Sequence, residues 1–174
     1  FALQQFEDGF FALLRVHGEI VNAMDLVNEA GHATRSRDCF AVWYGRLKNV
    51  HAKQAAYPEG KALETVQTGY AAFYNKHQSE LGHYFRHLYH IIKFVEEAPI
   101  QNKRKYTSLV RAQLSAYEHL MLFYNGLSTY GYTKFKPLIE EFELLENMPQ
   151  QMVISPQLHL PLYAPSAYGQ DNAV

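Results

Sequence analysis

Residues 82–99 read GHYFRHLYHIIKFVEEAP. Tyr84, Phe85, Leu88, Ile91, Ile92 and Val95 recur at steps of three and four, which places them on one stripe of a helix, and Pro99 stops it. The same spacing extends in both directions. Upstream, Leu63, Val66, Tyr70 and Phe73 mark a third helix that turns or kinks near Gly82. Phe40, Trp43, Tyr44, Leu47 and Val50 mark a second helix, capped by Asp38 and stopped by Tyr57, Pro58, Glu59 and Gly60. Phe10, Leu13, Leu14, Val21, Met24 and Val27 mark a first helix from Phe6 to near Gly31. Downstream, a basic link ending at Lys105 leads into a fifth helix from about Tyr106 to Tyr124, ended by Asn125 and Gly126. A sixth starts with Pro137 in its first turn and runs through Leu138, Ile139, Phe142 and Leu145. The expected fold is all-α: a helical bundle of about six helices over residues 1–148, with an irregular proline-rich C-terminal arm over 149–174. That arm holds Pro149, Pro156, Pro161 and Pro165, and its Val153, Ile154, Leu158, Leu160 and Leu162 suit an extended segment laid on the bundle.

Composition narrows the function classes. A chain of 174 residues with 48% hydrophobic and 19% charged residues folds as one globular domain. Its net charge of −1 gives no global electrostatic case for a nucleic-acid or membrane-surface protein, so any charged site is local. Cys39 is the single cysteine, which excludes an internal disulfide and a Cys-rich zinc site. No nucleotide-binding loop, serine-hydrolase elbow or zinc-protease signature occurs, and no cofactor is expected. The chain starts at Phe1, so an upstream membrane segment is expected to be missing.

Three constellations carry candidate chemistry. His83, His87 and His90 share one helix face, read as a solvated or interface face because Arg86 beside them repels a cation; the expected metal set is none. Arg111, Ser115, Glu118 and Asn125 form a polar stripe on the fifth helix, with Arg86, Tyr89 and His90 as its natural partners. Lys76, Arg86, Lys93, Lys103, Arg104, Lys105 and Arg111 make the middle of the chain locally basic, a patch suited to an anion or RNA backbone, whereas Glu140, Glu141, Glu143 and Glu146 are all acidic.

These blocks resemble a known family. Residues 82–94, then Arg111 to Glu118, then Leu122 to Leu127, are similar to the AbiC-like phage abortive infection proteins, and Phe10–Val21, Arg37–Phe40 and Phe135–Glu140 follow in the family's order. The resemblance covers roughly residues 6–148. It departs at Ser36, where a glycine is expected before Arg37 and Asp38, and in the proline-rich arm. It implies bacterial defence against phage, in a cytoplasmic domain anchored to the inner membrane through a preceding segment. Several abortive infection families are HEPN ribonucleases, helical proteins with an Arg followed by four to six residues and a His. Arg46 and His51 meet that spacing, although random placement of this chain's arginines and histidines gives about one such match and Leu47 stands where those enzymes carry a polar residue.

The leading expectation is therefore a helical sensor or interaction domain of a phage-defence protein, meeting a phage or host factor, with membrane contact only through the missing segment. Homo-oligomer formation is also open to it. The alternative is a metal-independent ribonuclease in which Arg86 or Arg111 stabilises charge on phosphate, His87, His90 or Glu118 moves the proton, and Tyr89, Gln113, Ser115 and Asn125 bind. A third reading treats the polar stripe as structural, fixing helix register.

Overall fold

The computed structural model describes residues 2–54 and 58–169. Its helices are α1 (Ala2–Asn22), α2 (Cys39–Ala52), α3 (Ala62–Glu97), α4 (Lys103–Gln113), α5 (Ala116–Leu127), α6 (Phe135–Glu141) and α7 (Pro156–His159). Two three-residue strands, β1 (Asp25–Val27) and β2 (Ala33–Arg35), pair antiparallel between α1 and α2, with Leu26 opposite Thr34. The all-α architecture expected from the sequence is observed.

α3 is the axis. Its 36 residues make a rod of about 54 Å at 1.5 Å per residue. α1, α2, α4 and α5 all pack against it. α5 is buried at every position from Glu118 to Leu127, which puts it at the centre rather than on the surface. Trp43, Phe40 and Leu47 of α2, Tyr70, Phe73, Tyr84 and Leu88 of α3, and Phe123 and Tyr124 of α5 fill the space between these helices.

Several boundaries differ from the sequence reading, each for a physical reason. The first helix ends at Asn22 rather than near Gly31, because residues 25–35 form the strand pair, and Val27 is exposed. Asp38 makes no side-chain cap; the entry to α2 is a turn of 3-10 helix, Ser36–Asp38. α2 ends at Ala52, and Tyr57 of its expected stop lies outside the described residues. The third and fourth helices are one continuous helix through Gly82. The expected fifth helix is two, broken at Leu114 and Ser115, where Ser115 caps α5: its Oγ accepts from the Glu118 amide at 3.3 Å while the Glu118 carboxylate accepts from the Ser115 amide at 2.7 Å. α6 stops at Glu141 because Glu143 takes a left-handed φ of 55° and the Leu144 amide returns to the Ile139 carbonyl at 3.1 Å, the closing bond of a helix C-terminus.

The proline-rich segment is neither extended nor free over residues 149–169. Short helical turns carry Val153, His159, Tyr163 and Ala167 into the core. Tyr124 Oη hydrogen-bonds His159 Nδ1 at 2.8 Å and accepts from the Ile154 amide at 3.0 Å. Tyr44 donates to the Met152 carbonyl, and Tyr163 donates to the Phe123 carbonyl at 2.7 Å. Gly126 makes room for this: a Cβ there would stand 2.2 Å from Tyr163 Oη.

Candidate functional site

The long α3, the turn after α5 and the start of α6 enclose a cleft of about 260 Å³. Tyr74, Gly82, Phe85, Arg86 and Tyr89 come from α3, Asn125 from α5, Tyr130 and Lys134 from the following turn, and Phe135 from α6. Helical steps of three, four and eight residues on α3 bring its contributions to one side. Arg86, Tyr89 and Asn125, three of the residues expected from the sequence, meet here.

Gly82 shapes the floor. A Cβ on it would lie 2.8 Å from Tyr74 Oη and 3.0 Å from Arg86 Nη1, so the missing side chain leaves space for a hydroxyl and a guanidinium. The Arg86 charge opposes the effect of burial on the Tyr74 phenol, whose pKa is nevertheless raised. Tyr74 packs on Tyr130 with ring centroids 4.6 Å apart, and Tyr89 meets Phe135 edge-on at 5.5 Å. Asn125 is 4% exposed; its amide nitrogen donates to Tyr70 Oη at 2.9 Å, and the other end of the amide has no hydrogen-bond partner among the described residues.

The other expected residues lie elsewhere. Glu118 is fully buried, and its carboxylate accepts from Tyr84 Oη at 3.0 Å, from the Ser115 amide, and from Arg37 Nε at 3.0 Å. Burial and that neighbouring carboxylate push the Tyr84 phenol well above its usual pKa, so it stays a donor. Arg37 also donates to the Gln113 carbonyl at 3.3 Å. This network joins α3, the α4–α5 break and the entry to α2. Arg111 pairs with Glu146 at 2.8 Å and donates to the Glu143 carbonyl at 3.2 Å, away from Arg86. His90 is exposed beside Tyr89, and His87 is half-buried with its ring 6.0 Å from that of His17 on α1. Burial, with His83 and His90 nearby, lowers the His87 pKa. Among the described residues no three His, Cys, Asp or Glu side chains are placed to hold a metal ion.

The basic middle of the chain is largely neutralised. Lys93 pairs with Glu96 and Glu97, Arg104 with Glu143, Lys105 with Glu7, and Lys103 donates to the Glu96 carbonyl. Arg86 and Lys134 of the cleft make no ion pair among the described residues. Sequence reasoning missed Lys134 and Tyr130, because only the fold brings the α5–α6 turn against α3, and with them Tyr74 of α3, whose ring packs on Tyr130. Arg46 and His51 sit five residues apart on α2, about 140° around the helix, and His51 is buried against Tyr124 and His159.

Residues 76–153 match the family model described as "Putative phage abortive infection protein". No curated protein and no solved structure matches the chain. The matched segment runs from the middle of α3 to the first turn after α6 and contains every cleft residue except Tyr74. The match supports a role in abortive infection defence against phage, and no comparison supports the HEPN ribonuclease alternative. No helix of the described residues is long and apolar enough to cross a membrane.

Proposed function

We propose that this defence role is carried out by recognition: the chain is a sensor or interaction domain, and the Arg86 cleft is where it holds a phage or host factor. One observation carries the reading. Among the described residues, the cleft combines two cations lacking ion pairs with five aromatic side chains, and its lining includes no carboxylate or imidazole. Such a site attracts and retains an anion but lacks the imidazole and carboxylate groups that most often move protons in hydrolysis, so it suits binding better. Anchoring at the inner face of the membrane, implied by the family resemblance, belongs to the same reading and would be seen by fractionating cells that express the full-length protein. Arg86 is exposed and free of salt bridges among the described residues, so Arg86→Ala should leave the fold intact. In the full-length protein, Arg86→Ala and Lys134→Ala should each abolish or sharply reduce protection in a phage plating assay while the circular dichroism of the domain is unchanged. Full protection by both variants would refute the proposal.

A further inference from the structure

The recognition reading leaves the ligand open, and the cleft narrows it. Its volume of about 260 Å³ lies just below the range of ordinary ligand pockets, ~300–1,000 Å³, so it takes one compact group rather than a length of chain. The walls are Tyr74 with Tyr130 and Tyr89 with Phe135, over Phe85. Tyr130 is 53% exposed, so part of its ring remains available to a stacking partner beside Tyr74. Arg86 and Lys134 supply positive charge at the same opening, and no acidic residue lines it. Asn125 adds the third element: a side chain nine-tenths buried, with one end of its amide held by Tyr70 and the other left to the cleft. A ligand that satisfies all three features has a flat π face, an anionic group, and a hydrogen-bonding edge close to the ring.

We infer that the cleft binds a single phosphorylated nucleoside, with the base against the aromatic walls and its edge on Asn125, and the phosphate between Arg86 and Lys134. Arg offers a planar fork to phosphate oxygens, Lys a point charge, and aromatic rings a stacking surface for the base. Gly82 belongs to the same site. It sits in the interior of a 36-residue helix, where glycine is a poorer helix former than alanine, and a Cβ there would displace the Tyr74 hydroxyl and the Arg86 guanidinium from their places in the cleft. The same chemistry is offered by a free nucleotide and by the phosphorylated end of a strand.

Calorimetric titration of the domain tests this, using the four ribonucleoside 5′-monophosphates, the corresponding nucleosides, inorganic phosphate, and a short oligoribonucleotide with and without a 5′-phosphate. At least one monophosphate or the 5′-phosphorylated strand should bind at least about tenfold more tightly than the matching nucleoside and than inorganic phosphate. Arg86→Ala should weaken that binding by a similar factor. Gly82→Ala should weaken it several-fold without lowering thermal stability, whereas Lys48→Ala, outside the cleft, should leave it unchanged. Tighter binding of the strand identifies a nucleic-acid end; equal binding identifies the free nucleotide. Equal affinity for nucleoside and nucleotide, or undiminished binding by Arg86→Ala, overturns the inference. If no nucleotide or strand binds while Arg86→Ala still abolishes protection, the ligand class falls and the recognition reading stands.

Discussion

Arg37→Ala isolates the contribution of the buried Glu118 network. Glu118 has no exposed surface and three donors, one of them the only cation paired with it among the described residues. Removing Arg37 leaves a carboxylate inside the protein with the Tyr84 hydroxyl and the Ser115 amide alone. Breaking a buried pair in this way costs about 3–5 kcal/mol. Arg37 is itself 54% exposed, so water can enter the vacated space, and the expected loss falls to about 2–3 kcal/mol, including the bond to the Gln113 carbonyl. For a chain of this size that is roughly 5–10 °C in Tm. Glu118→Gln removes the charge but keeps an acceptor for the Ser115 amide, so it should cost less, about 1–2 kcal/mol. The double variant should be more stable than the sum of the two losses predicts, by at least about 1 kcal/mol. Guanidinium denaturation followed by circular dichroism, with an unchanged slope, measures all three. An Arg37→Ala midpoint indistinguishable from that of the parent, or strict additivity of the two changes, would show that the geometry does not hold the α4–α5 junction as described.

Three further outcomes follow from other parts of the molecule. Ser36, at φ 55°, occupies the left-handed region that favours glycine, so Ser36→Gly should raise stability by about 0.5–1 kcal/mol, offset slightly by loss of the bond from its hydroxyl to the Asn22 carbonyl; a lower Tm would contradict this. His17, His119 and His159 are buried, and burial is the main cause holding each near a pKa of about 4. The unfolded chain therefore binds more protons between about pH 6.5 and 4, and stability present above pH 6.5 should be lost on acidification through that window, by up to about 3 kcal/mol per histidine; a flat profile of unfolding free energy from pH 7.5 to 4.5 would refute it. Tyr163→Phe removes the bond to the Phe123 carbonyl and should cost about 1–2 kcal/mol, read as a shift in denaturant midpoint, with no loss indicating that the arm is not held there.

The apolar stripes were legible because burial in a bundle writes a period of three and four into the chain, and α2, α3 and α5 carry it. The errors come from local features that imitate or interrupt that period. Val21, Met24 and Val27 keep a three-residue step past the true end of α1, and strands of three residues are too short to show alternation. Gly82 suggests a break because glycine is a poor helix residue, yet its role is to admit side chains from its own helix. Ser115-x-x-Glu118 is a helix-start signature that also fits a polar stripe along one long helix, and the structure has two helices there. Of the cleft, Arg86, Tyr89 and Asn125 were accessible from the sequence, whereas Lys134 and Tyr130 were not. Nothing in a run of turn residues after α5 signals which helix that turn will cover. The resemblance supplies what periodicity lacks, a biological role, and one of its two departures, at Ser36, falls on a position of left-handed backbone.

The packing of the arm bears on how the domain comes into being. Phe123 and Tyr124 lie at the centre of α5, and their partners are Ile154, His159 and Tyr163, 30 to 40 residues further along the chain. A ribosome delivers those partners late. Until they emerge, the middle of α5 and the ring of Tyr44 have lost part of their cover, so a nascent bundle holds its most apolar helix incompletely shielded. Chains interrupted before residue 153 would share that state permanently, becoming substrates for chaperones and proteases rather than working defence proteins.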